Sequence, residues 1–504
     1  ISLCLSLNSF WGGEVVHNGP VTGIQRDCLE LLILDIKRFA NILVEVPVVD
    51  WKELFGVKSI DYKGDEVKVA KWFGWANVGA ALPSDVGSVA LEDVCTLGCR
   101  HYVLHFDEYI KPASEWGPIT KPKVMVADPD WADVCTGLVT TGVCEFILEE
   151  DVFHTSAGPL LNGMFGVSKD ETTADGTDIH RLIMNLVPLN ALCKPISGDV
   201  DTLPSWSGMN PFFLQPNEQL LVSSEDVKCF FYTMSVPRAW TKYLAFNKLV
   251  PDRILPPSLQ GRRVYVASRV LPMGFLNSVS LAQHVHRNLV AWSSEGMGPS
   301  DNAPAGELRK DRSFTVHNPA WRVYLDNYDL LERVKKCEVS DLEGTCAAGV
   351  LSLRQQYELW KVPRNVKKAV ERSSLCELQG ASGVAYPRES KLAKYVSLAL
   401  DLCQRTYSTQ KQWQVVCGGL VYFSMFRRPL LGSLNQVWQH ILSYDRLGKY
   451  RQETPHDCRL EVLRFVGLLP LARLDFRLDV HPMVTCSDAS SYGGRSEERR
   501  VGKE

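Results

Sequence analysis

Residues 321–331 read WRVYLDNYDLL. Two short apolar runs, ending at Leu325 and resuming at Tyr328, flank the pair Asp326 and Asn327. An Asp-Asn step between such runs is turn chemistry, because both side chains tolerate tight backbone bends. The pattern predicts a β-hairpin with Asp326 at its tip. Upstream, LLVSSEDVKCFFYTMSVP (Leu220–Pro237) carries an apolar run into Asp226 and on into aromatics. If that run forms a neighbouring strand, Asp226 and Asp326 come together. Paired carboxylates are the hard oxygen ligands that two Mg²⁺ ions about 3.5–4 Å apart require.

Working outward, further segments fall in a fixed order around this pair. GMFGVSKD (Gly163–Asp170) and HRLIMNLVPLN (His180–Asn190) precede Asp226, and RVLPMGFLNSVSLAQHVH (Arg269–His286) lies between the two acids. Over roughly residues 150–390 the series resembles the reverse transcriptase family. The resemblance implies an α+β right-hand polymerase with fingers, a palm built on an antiparallel sheet, and a helical thumb. It implies RNA-directed DNA synthesis from a template-primer duplex and deoxynucleoside triphosphates, with two Mg²⁺ ions or Mn²⁺ in their place.

Carried over residue by residue, Lys169 and Arg181 grip the incoming triphosphate, which needs cations to neutralise it. Asp226 and Asp326 are the catalytic metal ligands, and Val227 offers its backbone carbonyl to the same metal. Phe231 stands at the position of the ring that rejects a 2′-hydroxyl, with Phe230 expected in the core on the opposite side of the strand. Met273 and Gly274 belong to the loop that supports the base pair, Gly274 permitting close backbone approach, and Gln283 lies on the following helix. Lys367 matches a lysine that protonates the leaving pyrophosphate, with Lys368 the neighbouring candidate. Leu375–Ala381 resembles the primer-grip turn. HPMVTCSDASSYGG (His481–Gly494) resembles the opening strand of an RNase H-like domain, with Asp488 as its first carboxylate. Two departures stand out: Asn327 replaces a common third carboxylate, and Asn185 replaces a common Asp. An amide oxygen can ligate but brings no charge.

The chain has 504 residues, room for three or four units of roughly 100–200 residues. The expected divisions are an N-terminal extension of unknown role (1–140), fingers (141–222), palm (223–390) with an exposed loop at 292–318, thumb (391–455), and a connection leading into the RNase H-like strand (456–494). Residues 495–504, RSEERRVGKE, are so charged that they read as a non-native tail. In the extension, Cys28–Leu43 has helical periodicity and HYVLHF (His101–Phe106) looks strand-like. Beyond 390, Lys391–Tyr407 and Leu434–Tyr444 show three- and four-residue apolar spacing, the mark of helices. Residues 354–450 hold fifteen Lys or Arg against six Asp or Glu, interleaved with Trp360, Tyr395, Trp413, Tyr422 and Trp438. Such a stretch suits a phosphate-backbone track or a solvated basic face.

No stretch of about 18 apolar residues is present, so no membrane span is expected. The opening ISLCLSLNSFWGGE lacks the basic lead and cleavage site of a signal peptide and reads as the edge of a fragment. Fifteen cysteines without paired spacing suit a reducing, intracellular setting, cytoplasm or nucleus. Cys95, Cys99, His101, Cys135 and Cys144 lack a tight Cys-x-x-Cys knuckle, so buried thiols are the better reading than zinc. Two alternatives stay open: a viral RNA-directed RNA polymerase, and a nucleic-acid-binding remnant that has lost its chemistry. Protein partners are not indicated.

Overall fold

A computed structural model describes residues 3, 23–44, 51, 70–204, 213–295, 306–310, 317–374, 384–448, 450–477, 483–490 and 493–500. Two strands, β1 (Gly163–Thr172) and β2 (Asp178–Asn185), form an antiparallel hairpin whose register pairs Val167 with Arg181. Period-two alternation buries His180, Leu182 and Met184 on β2 and turns Arg181 outward. Strand β3 (Glu218–Asp226) is followed by helix α1 (Ser278–Glu295), then β4 (Ala320–Tyr324), β5 (Asn327–Lys335), helix α2 (Ala348–Leu359) and β6 (Val370–Ser373). These strands make one antiparallel sheet in the order β4-β5-β3-β6.

The sheet is covered on both faces, which is why β3 is an almost unbroken buried run. Val323, Tyr328 and Leu330 point into a large core shared with α1 and α2. Leu220, Val222, Ala320 and Leu331 point the other way, onto Phe426 and Phe476 from the helical part of the chain. Mixed helices and strands make the chain α+β.

The large core runs from Phe73 to Val362 and includes Val94, Tyr102, Trp131 and Leu138. A division at 140/141 therefore crosses a shared interior. A second core joins helices α3 (Glu389–Gln404), α4 (Gln410–Ser424), α5 (Asn435–Leu447) and α6 (His456–Leu468), with Leu32, Ile36 and Phe39 of Gly23–Ile42 packed against it. Val462, Phe465 and Leu468 of α6 lie inside this core, so a boundary at 455/456 would split one helical bundle.

Three local expectations are corrected. His101–Phe106 is not a strand: helix Leu97–Leu104 runs through it into a 3₁₀ turn, Phe106–Tyr109. Tyr102, Val103 and Phe106 are its buried residues, a helical face that a six-residue window mistook for alternation. The loop expected from 292 begins later, because α1 continues to Glu295 and Trp292 is buried. Residues 495–500, expected as a charged tail, belong to a strand, Gly493–Arg500, that pairs with Met483–Ser490. Among the described residues no helix is long and apolar enough to cross a membrane.

Candidate active site

Strand β3 ends at Asp226, whose partner across the ladder is Asn327, the first residue of β5. The backbone N–H of Val227 donates to the carbonyl of Asp326 at 2.8 Å. Asp226 and Asp326 thus stand at the same end of adjoining strands, where facing Cα atoms are about 4.5–5.5 Å apart. The hairpin turn is centred on Leu325 and Asp326, one residue earlier than the Asp-Asn step implied, and Leu325 takes the positive φ of 54°. A leucine there is strained.

Helix α1 explains why the turn forms at that point. The Leu325 N–H donates to Gln283 Oε1 at 2.9 Å, and Gln283 Nε2 donates to the Val323 carbonyl at 2.9 Å. His286 Nδ1 donates to the Leu325 carbonyl, and the Tyr357 hydroxyl donates to His286 Nε2 at 2.6 Å. That pattern needs a neutral imidazole, and burial pushes His286 down to about 4. Gln283 therefore does not reach a nucleotide; it is fully buried behind the turn and holds the backbone that presents Asp326. Asn327 Nδ2 donates to Asp326 Oδ1 at 3.0 Å, so the amide that replaces a carboxylate orients its neighbour.

Asp226 is held from the other side by the segment after α2. Asn365 Nδ2 donates to Oδ1 at 2.9 Å, Lys368 Nζ to Oδ2 at 3.1 Å, and the Asn365 N–H to the Asp226 carbonyl at 2.8 Å. Next to it, Glu225 is fully buried and receives Arg354 Nε at 2.7 Å, Arg364 Nε at 2.9 Å and Arg364 Nη2 at 2.7 Å. Those two guanidiniums give the buried carboxylate charged hydrogen-bonding partners. They also fix Pro363–Lys368 beside the end of β3.

Both aspartates line a cavity of about 970 Å³. Lys169 and Arg181, from β1 and β2, line it too, and neither is ion-paired among the described residues. Val227, Phe231, Met273 and Lys367 complete the expected residues found on its wall. Phe231 sits on a helical turn, Phe230–Thr233, and not on a strand, because Cys229 with φ 56° breaks the extended run. Phe230 is buried in the large core and Phe231 is half-buried against it, and both line the cavity. Gly274 is not on the wall. A Cβ there would lie 2.3 Å from the Met184 carbonyl, so its glycine seats the loop on β2, where Asn190 also holds it through the Gly274 carbonyl at 2.9 Å.

Asp326 has its carboxyl raised above the usual range, first by burial and also by the charge of Asp226, against partial relief from Lys368 and Arg181. Two carboxylates and a backbone segment facing one polar cavity form a hard-oxygen donor set, which fits Mg²⁺ or Mn²⁺.

No protein-family model matches the chain, and no curated protein does. Among solved structures the chain is similar to a viral enzyme. That structure is the foamy viral protease-reverse transcriptase dRH in complex with double-stranded DNA, at 14% identity and a TM-score of 0.44, covering 99% of this chain and 69% of that one. At this level of likeness the functional reading stands on the chain's own residues.

Sequence reasoning missed Arg364, Asn365 and His286, although the last closes the quoted RVLPMGFLNSVSLAQHVH and the first two stand just before Lys367. It gave Lys367 first place, yet of these two exposed lysines on the cavity wall it is Lys368 that contacts Asp226. Of the aromatics expected along a phosphate track, Trp413 is buried and bonded to Ser408, Trp360, Tyr395 and Tyr422 are half-buried, and Trp438 is exposed. The Asp488 side chain and the segment Leu375–Ala381 lie outside the described residues. Cys95, Cys135 and Cys144 are buried free thiols, pushed upward by burial.

Proposed function

We propose that this chain is the polymerase core of a reverse transcriptase-like enzyme, extending a primer on an RNA or DNA template by nucleotidyl transfer. One observation carries the proposal: the ladder register that sets Asp226 beside the Asp326 turn, at a cavity that Lys169 and Arg181 also line. Carboxylates alone would be a generic cation site. Carboxylates and free cations lining one cavity suit a substrate that is itself a polyanion with bound metal.

In this reading Asp226 and Asp326 hold the ions, and Lys169 and Arg181 bind the triphosphate in line with the primer terminus. Bound Mg²⁺ would lower the pKa of the 3′-hydroxyl and stabilise the departing pyrophosphate. Phe231 packs under the sugar and selects deoxynucleotides by bulk. Lys368, at the Asp226 carboxylate, is the better-placed proton donor to the leaving group. Hairpin β1–β2 serves in the fingers, the sheet β4-β5-β3-β6 in the palm, and the bundle α3–α6 as the thumb.

Lys368 and Asn365 occupying both oxygens of Asp226 favour a second reading, a nucleic-acid-binding chain without chemistry. Primer extension on RNA and DNA templates, with each nucleotide type and with Mg²⁺ or Mn²⁺, separates them. Deoxynucleotide incorporation abolished by Asp326→Ala, with duplex binding retained, supports the polymerase. Failure of the unaltered chain under every condition leaves the binding reading.

A further inference from the structure

Far from the carboxylate pair in sequence, His101, His105 and Glu108 present ligand atoms that all lie within 4.8 Å of one another. Their spacing is i, i+4, i+7. Helix Leu97–Leu104 carries the first, its C-cap is the second, and the following 3₁₀ turn carries the third. The two imidazole centroids are 4.5 Å apart, and the Glu108 carboxylate lies 3.9 Å from His101 Nε2 and 3.8 Å from His105 Nδ1.

We propose that these three residues bind one divalent transition-metal ion of the zinc class. Two imidazoles and a carboxylate are an N₂O donor set, which favours zinc, cobalt or nickel over magnesium. With bonds of about 2.0–2.1 Å, tetrahedral ligands sit roughly 3.3 Å from each other. Exposed side chains now 3.8–4.8 Å apart close that gap by small rotamer changes, and a water fills the fourth position.

The surroundings favour a preformed site. Tyr102, Val103 and Phe106 bury the opposite face of the helix in the large core. The turn is fastened through Asp107, which receives Lys242 Nζ and the Tyr243 hydroxyl at 2.8 Å each, and through the Tyr109 carbonyl, which receives the Lys194 N–H at 2.9 Å. Little ordering remains to oppose binding. The Tyr109 hydroxyl, 3.3 Å from His101 Nδ1, can accept that proton and leave the Nε2 lone pair directed toward Glu108. Such outer contacts orient metal-ligating imidazoles. Bound there, the ion ties the end of the helix to the turn that anchors Lys242 and Tyr243.

The test uses the full chain, stripped with chelator and kept reduced, titrated with Co²⁺ and followed by visible absorption. With excess Mg²⁺ present to occupy the aspartate pair, one equivalent should bind with a spectrum of nitrogen and oxygen ligands and without thiolate charge transfer. His101→Ala, His105→Ala and Glu108→Gln should each weaken binding more than about tenfold, since even outer partners of a metal ligand cost about 10- to 100-fold. Metal-free melting of these exposed-site variants should match that of the parent. Unchanged affinity in the histidine variants, or a thiolate band, would overturn the assignment.

Discussion

Replacing Gln283 with Met keeps the volume and helix propensity of the side chain but removes its hydrogen bonds. The Leu325 N–H then loses its acceptor and the Val323 carbonyl its donor, at a point where Gln283 and Val323 are both buried. Each buried group left unsatisfied costs about 1–3 kcal/mol, so two such groups should weaken the turn by roughly 2–6 kcal/mol. A chain with several cores does not unfold in one step, so the loss is best read locally. At about 1.4 kcal/mol per tenfold change, 2 kcal/mol corresponds to about 30-fold faster amide exchange in a peptide spanning Ala320–Leu331. A loosened turn also lets Asp326 wander, and a misplacement of about 1 Å can cost about 100-fold in rate. Nucleotide incorporation should fall by that order, while KM for the nucleotide changes little, because Lys169 and Arg181 lie on another hairpin. Exchange within about threefold of the parent would refute the claim that α1 holds the turn. Faster exchange with undiminished incorporation would instead detach the turn from catalysis.

Gly274→Ala should lower the melting temperature, because the new methyl meets the Met184 carbonyl and backbone cannot yield as a side chain does; a cost of about 1–3 kcal/mol is expected, and an unchanged melt would contradict it. An unfolded His286 gains its proton near pH 6.5, whereas the folded one, pushed down by burial, gains it at about 4. Stability should therefore be flat with respect to this group above pH 6.5 and fall by about 3 kcal/mol as pH drops toward 4. Denaturant titrations of the parent and His286→Gln should converge across that window. His284 acts in the other direction: against its burial, the hydrogen bond to Asp199 raises it to about 9, so its contribution fades on the alkaline side. Lys368→Gln should reduce single-nucleotide incorporation at least about tenfold more than Lys367→Gln, since only the former touches Asp226; equal effects in rapid-quench measurements would return the role to Lys367.

The strand-forming segments were legible because each is a short apolar run stopped by a turn signal. Asp226 and Asp326 could be paired from the sequence because one lies at the end of such a run and the other at a hairpin. The exact turn was not legible: it depends on Gln283 and His286, which reach it from a helix some forty residues upstream. Helices α3 and α5 followed from apolar spacing, whereas the region before 140 did not announce its part in the large core. Most of its residues buried there stand singly on short elements, and only Asp128–Thr140, which buries Trp131, Ala132, Val134, Cys135 and Leu138, carries a helical period. Charge counting placed cations near the right segments but could not distinguish Lys367 from Lys368, because adjacent side chains diverge only once the backbone path is known. Nor could it show that Trp413 serves the interior of the bundle.

Adjacent positions 225 and 226 carry the same kind of group in opposite circumstances. Along a strand, neighbours face opposite sides, so Glu225 enters the grip of Arg354 and Arg364 while Asp226 opens toward the cavity. A slip of one residue in this ladder would exchange them, sending the cavity's carboxylate into the arginines and every apolar partner to the wrong layer. The Ser224 hydroxyl bonded to Asp329 Oδ1 at 2.7 Å and Arg322 Nε bonded to Asp329 Oδ2 at 2.7 Å reinforce the same alignment. These buried ionic contacts act as a key for strand alignment: they admit one threading of the acidic doublet and penalise the neighbouring ones.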